Sequence, residues 1–142
     1  MDQIFLFVNV VIIFVETRIK GKIDYNELVE ATGFSLPYVR ELFAIQTNKS
    51  LYRYILERKI ANAAFECRYT DKTLFTIGMD YGFNNADAFT RAFRRIVGVT
   101  PSEFRRMKVT MKRIKLCAGV YGVELPVLNQ NEMMKGVKEH DK

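Results

Sequence analysis

The stretch IGMDYGFNNADAFTRAFRRIVGVTPSEFRR, residues 77–106, decides the fold. Gly82 ends one helical segment, and Gly82-Phe83-Asn84-Asn85 reads as a turn into a helix over 86–97. That helix places Phe89, Ala92, Phe93 and Ile96 on one face. Thr100-Pro101-Ser102-Glu103 has the pattern of a capping box, with Pro101 at the first helical position, and opens a short helix to about residue 107. An earlier stretch, LVEATGFSLPYVRELF over 28–43, repeats the pattern. Gly33 aligns with Gly82, Phe34 with Phe83 and Phe43 with Phe93, at an offset of 49 before the turn and 50 after it, because the second turn is one residue longer. Two copies of one helix-turn-helix unit are expected.

Working outward, Asp24 and Glu27 read as a capping-box pair opening a helix over 25–32, which Gly33 stops. Ser35 is the N-cap of a helix to about residue 45, with Val39, Leu42 and Phe43 inward and Pro37 tolerated in its first turn. Ser50 caps a long helix over 51–69, whose apolar positions Leu51, Tyr54, Ile55, Ile60, Ala61, Ala64 and Phe65 predict one buried side. Arg53, Glu57, Arg58 and Glu66 fall between them. At 1.5 Å per residue such a helix spans roughly 28 Å. Residues 71–73 start a fifth helix.

The apolar run IFLFVNVVIIFV, residues 4–15, reads as a first helix ending by Gly21. Ile4, Val8, Val11, Val15 and Ile19 form a stripe for the core, and Leu6, Val10 and Ile13 form a second. Asn9, Glu16 and Thr17 are among the few positions left to meet water. Twelve residues fall short of the ~20 needed to span a bilayer. A helix apolar nearly all round needs cover on both sides, from a partner chain, a missing domain or a membrane surface.

With 142 residues, 49% hydrophobic and 27% charged, the chain is expected to fold as one small domain or two very small ones. Lys and Arg number 22 against 16 Asp and Glu, a net charge of +6, which favours a polyanionic partner, nucleic acid or an anionic membrane. His140 stands alone, so histidine-based catalysis and metal sites are not expected. Cys67 and Cys117 lie 50 apart and suit reduced thiols, Cys67 buried. The reading is of a protein that is not an enzyme and carries no cofactor and no metal.

Residues 23–106 resemble the DNA-binding region of the AraC/XylS transcriptional regulators. The resemblance rests on the EATGFS turn, YRYILERKIANAAF in the connecting helix and, above all, residues 77–106. It covers about 84 of 142 residues. It implies an all-α fold of about seven helices, with two helix-turn-helix subdomains joined by a long connecting helix and each placing a recognition helix in the major groove of double-stranded DNA. The expected domains are an apolar first helix, 1–22, and a DNA-binding domain, 23–107, built of subdomains 23–47 and 71–107 with the connecting helix 50–69. An extension over 108–142 follows, a strand-like stub of a sensor module or a poorly ordered tail. Successive major grooves on one face of B-DNA lie about 34 Å apart, within reach of the connecting helix and its flanking units.

For the first reader, the outward positions Leu36, Pro37, Tyr38, Arg40 and Glu41 are the base-reading candidates. Arg40 suits guanine and Glu41 suits cytosine N4–H. On the second, Ala86, Thr90 and Arg91 are the base readers, while Asp87 favours the positive helix start. Arg94, Arg95, Arg105 and Arg106 are expected at phosphates, together with backbone amides at the helix starts Ser35, Asn85 and Ser102. Between Arg91 and Lys115 lie nine basic residues and one acid, Glu103, which gives the charge surplus an address. Phe34, Phe83, Phe89, Phe93 and Phe104 read as core. An activator would have RNA polymerase as a second partner, and a regulator of this kind is expected in the cytoplasm. The alternative is a membrane-surface or protein-interaction module using the first helix and the basic flank.

Overall fold

The computed structural model describes residues 3–128. Seven helices follow one another: α1 Gln3–Thr17, α2 Tyr25–Thr32, α3 Leu36–Thr47, α4 Leu51–Tyr69, α5 Leu74–Asp80, α6 Ala86–Val97 and α7 Pro101–Met107. A hairpin of β1 Arg113–Cys117 and β2 Val120–Val123 then follows. The all-α expectation therefore holds with one addition, a two-stranded antiparallel sheet in which Arg113 faces Val123 and Lys115 faces Tyr121.

Local chemistry sets the helix starts. Ser35 Oγ accepts from Tyr38 N, Ser50 Oγ from Arg53 N, Thr73 Oγ1 from Thr76 N, Asn85 Oδ1 from Ala88 N and Thr100 Oγ1 from Glu103 N, each meeting an amide that the helix itself leaves unpaired. At α2 the expected capping box is not formed. Asp24 Oδ1 accepts from Asn26 N at 2.9 Å, while Glu27 turns away to accept from Arg18 Nε at 2.8 Å. A charged partner from the preceding loop outcompetes the return bond to the cap.

The first helix is not a separate element. It packs on α2, α3 and α4, burying Phe7, Val11, Ile12, Phe14, Val15 and Ile19, and makes the first unit a three-helix cluster with Leu28, Val39 and Phe43 at its centre. Leu6, Val10 and Ile13, the second stripe, remain 48%, 37% and 42% exposed among the described residues. The second unit closes on Ile77, Phe89, Phe93 and Phe104 with edge-on ring contacts, Phe89 to Phe93 at 5.8 Å and Phe93 to Phe104 at 5.6 Å. The repeat is not symmetric in packing. Phe83 lies half-buried against Phe89, but its counterpart Phe34 is 41% exposed, which corrects its reading as core. Phe65 is likewise exposed.

The connecting helix differs most from expectation. One buried side was expected, yet Leu51, Ile55, Arg58, Ile60, Ala61, Ala63, Ala64 and Cys67 are all buried, so α4 is surrounded by both units and by the hairpin. Burial pushes the Cys67 thiol up to about 11, and both cysteines are free. Arg58, read as one of the polar residues between the apolar positions, is 5% exposed. Its Nε and Nη2 donate to the two carboxylate oxygens of Glu16, both at 2.9 Å, and its Nη1 donates to Val123 O at 2.8 Å. Asn62 Nδ2 adds a bond to Glu16 Oε1 at 3.1 Å. Glu16, expected to meet water, thus joins α1 to α4 and to β2.

The hairpin closes over this ion pair. A Cβ on Gly122 would stand 2.8 Å from Arg58 Nη2 and 2.7 Å from Leu116 Cδ1, so the strand approaches only because that position lacks one. Further bonds fasten the same segment: Arg68 Nε to Val109 O, Met111 N to Tyr69 Oη, and Leu128 N to Val97 O. The part of the extension up to Leu128 is therefore folded against the helices, and residues 129–142, with His140, lie outside the described residues.

Arg58→Met strips the largely covered Glu16 carboxylate of its bidentate partner and is expected to cost about 3 kcal/mol, the scale for breaking a pair with a buried member. Urea denaturation of the two proteins checks this. A loss under about 0.5 kcal/mol would place the pair with weak surface pairs instead.

Candidate nucleic-acid interface

Each unit presents its second helix, α3 or α6, with one face in the core and the other outward. On α6 the division is sharp. Phe89, Phe93, Ile96 and Val97 are buried, whereas Ala86, Asp87, Arg91, Arg94 and Arg95 are exposed and Thr90 is half-buried. Among the described residues no carboxylate pairs with Arg91, Arg94 or Arg95. Three guanidinium groups therefore stand exposed on and near one face, in no ion pair among the described residues. Asp87 sits in the first turn, where a negative charge is favoured.

The outward face of α3 is different. Tyr38, Pro37, Arg40 and Glu41 are exposed, but Leu36 is half-buried, which corrects its reading as fully outward. Arg40 lies over the Tyr25 ring, 5.5 Å from its centroid. Tyr38 packs edge-on against Phe34 at 5.0 Å, and Phe34 in turn lies 5.9 Å from Phe7. The first reader is thus an aromatic-backed surface with one cation and one acid, and the second is a cationic one.

The side chains of Ser35 and Asn85 serve as caps, which leaves the first-turn amides of α3 and α6 as the groups able to meet a phosphate. Ser102 Oγ accepts from Arg106 Nη1 at 2.9 Å, so these two form a unit on α7. Arg105 requires a correction. Its Nε donates to Cys67 O at 2.8 Å and its Nη2 to Lys72 O at 2.7 Å and Thr70 O at 3.4 Å. The guanidinium is committed to carbonyls at the end of α4 and just beyond, where a cation also complements the helix dipole. Spacing alone could not separate Arg105 from Arg106, because the distinction is made by α4, some 35 residues away.

The sequence reading also passed over Lys59. Half-buried on α4, it donates to Ile19 O, Gly21 O and Tyr81 O, and burial lowers its pKa from the ordinary lysine value. The one local signal was a second cation beside Arg58 in a segment rich in alanine and isoleucine. Among the described residues no three His, Cys, Asp or Glu side chains come together as metal ligands, and no helix is long and apolar enough to cross a membrane.

Two helix-turn-helix units with outward second helices, bridged by α4 and bearing arginines that no described carboxylate pairs, define a tandem helix-turn-helix DNA-binding protein. A family model described as a helix-turn-helix domain matches residues 28–107. The transposon Tn10 TetD protein of Escherichia coli is 33% identical over 70% of this chain and 72% of its own length. The regulatory protein SoxS of Salmonella typhimurium is 31% identical over 69% of this chain and 92% of its own. Among solved structures, a transcriptional regulator of the AraC-type DNA-binding-domain class from Chromobacterium violaceum superposes with a TM-score of 0.69 at 21% identity, covering 74% of this chain and 94% of that one. The DNA-binding domain of AdpA, solved in complex with a target DNA, gives 0.63 at 17% identity, over 69% and 88%. The chain belongs to the AraC/XylS family of sequence-specific DNA-binding transcription regulators, whose members are not enzymes.

Arg105→Ala is expected to lower folding stability by about 1–3 kcal/mol, since the carbonyls it bonds lose a charged donor. The slope of DNA affinity against salt should stay as in the parent. A slope shallower by about one unit in folded protein would return Arg105 to the phosphate contacts.

Proposed function

We propose that the chain reads a two-part site in successive major grooves of double-stranded DNA, with α6 as the stronger reader and α3 as the weaker. The observation that carries this is the set Arg91, Arg94 and Arg95 on the exposed side of α6, paired with no carboxylate among the described residues. Arg91 lies one turn into the helix and suits bidentate bonding to guanine, with Thr90 and Ala86 beside it for apolar contact to a thymine methyl. Arg94 and Arg95, nearer the helix end, suit phosphates. On α3, Arg40 and Tyr38 face outward with Glu41, whose charge favours a cytosine amino group and repels phosphate. Amides at the starts of α3 and α6 supply further phosphate contacts.

This reading needs no catalytic group and no cofactor, and it puts the chain in the cytoplasm with its DNA. RNA polymerase is a second partner if the chain activates. The exposed Leu6, Val10 and Ile13 are the feature that speaks for a protein-interaction or membrane-surface role, but the helix bearing them is built into the first unit, which ties that surface to a DNA reader.

Selection of bound duplexes from a random pool supplies the preferred site. On that site Arg91→Ala should weaken binding about 10- to 100-fold, and on random DNA much less. Arg94→Ala should weaken both alike and reduce the salt slope by about one unit. Equal losses on both DNAs for Arg91→Ala would remove it as a base reader, and a pool that yields no preferred duplex would remove the two-part reading.

A further inference from the structure

Lys59 occupies a joint between the two units. Its ammonium carries three N–H donors, and three carbonyls meet them: Ile19 O at 3.2 Å, Tyr81 O at 2.9 Å and Gly21 O. Ile19 and Gly21 belong to the segment leaving α1 in the first unit, and Tyr81 is the C-cap of α5 in the second. The same segments also touch without the lysine. Gly21 N donates to Asp80 O at 2.7 Å, and Lys20 lies 5.9 Å from the Tyr81 ring centroid. At Gly82, with φ +85°, a Cβ would stand 2.5 Å from Gly21 O, so backbone packs directly on backbone.

Tyr81 caps the end of α5, whose carbonyls carry partial negative charge, and Ile19 and Gly21 present loop carbonyls just after α1. Carbonyl oxygens brought together without a donor repel, and a cation between them converts the repulsion into three bonds. The first unit is tied to α4 through Glu16 and Arg58, and the second through Arg105. Those ties hold each unit to the connector. The Lys59 joint holds the units to each other, and it lies close in the chain to one reader and to the helix before the other: Asn85 caps α6 three residues after Gly82, and Asp24 caps α2, which leads into α3, three residues after Gly21.

We propose that Lys59 is the positioning residue that sets the separation and rotation of α3 relative to α6, and thereby the spacing between half-sites that the chain accepts. The proposal rests on the two-part DNA reading above. One added base pair moves the second half-site by about 3.4 Å and turns it by roughly 35°, so a stiff joint tolerates few spacings and a loose one tolerates several.

The test uses the intact chain and the duplex it selects from a random pool, rebuilt with one, two or three base pairs added or removed between the half-sites. The parent should lose about tenfold or more in affinity at each altered spacing, on the scale of one spoiled base contact. Lys59→Met keeps the aliphatic stem and removes the donors. It should flatten the series to within about threefold while binding an isolated half-site as the parent does. A Lys59→Met protein with the parent's spacing profile and only a lower denaturation midpoint overturns the proposal. If circular dichroism shows Lys59→Met unfolded, Lys59→Arg and Gly82→Ala take the same series. A broadened or displaced spacing optimum in them supports the joint, and the parent's profile in both overturns it. An unchanged profile strikes only the role of Lys59, whereas failure to select any preferred duplex strikes the DNA reading as well.

Discussion

Arg58 and Lys59, adjacent in the middle of α4, are drawn into the protein only because the donors they bring inward find acceptors, and much of the structure is arranged to supply these. An unpaired buried cation would cost several kcal/mol, so the acceptors have to be built in. For Arg58 they are the Glu16 carboxylate and the Val123 carbonyl, which brings α1 and the hairpin to the connector. For Lys59 they are carbonyls from the loop after α1 and from the end of α5, which bring the units together. A connector with an apolar face alone would hold its neighbours without fixing their direction, whereas hydrogen bonds at about 2.9 Å fix both.

That arrangement explains why the exposed surface is so unevenly charged. Several acids are occupied by other cations: Glu16 by Arg58, Glu27 by Arg18, Glu57 by Lys49 and Arg53, and Glu66 by Lys72. Among the described residues Arg91, Arg94 and Arg95 pair with no carboxylate. Cations held out in water at a helix surface are able to exchange counterions for phosphates, the source of salt-dependent affinity for DNA. Internal pairing and external vacancy are thus two sides of one charge distribution.

The helices and their order were legible because their signals are local. Caps at Ser35, Ser50, Asn85 and Thr100 act within three residues, and the Phe89-Phe93 face repeats at one helical turn. The same locality misled at Asp24, where Glu27 prefers Arg18, and at Phe34, where the repeat suggested a core position that the first unit leaves half open. The candidate interface was legible to the extent that it lies on one face of α6. Arg105 was misplaced because its partners are carbonyls, which every residue carries and no sequence pattern marks.

By itself the sequence determined two helix-turn-helix copies, a connecting helix of about the observed length and a basic second half, because periodicity, capping and composition are properties of neighbouring residues. Only the tertiary structure decided that Glu16 meets Arg58 across 42 positions, that the segment after α7 returns as a hairpin over them, and that Lys59 joins the loop after α1 to the end of α5. Those pairings depend on which groups packing leaves without water. A buried donor must take the acceptor that the fold brings to it, however far away in the chain that acceptor lies.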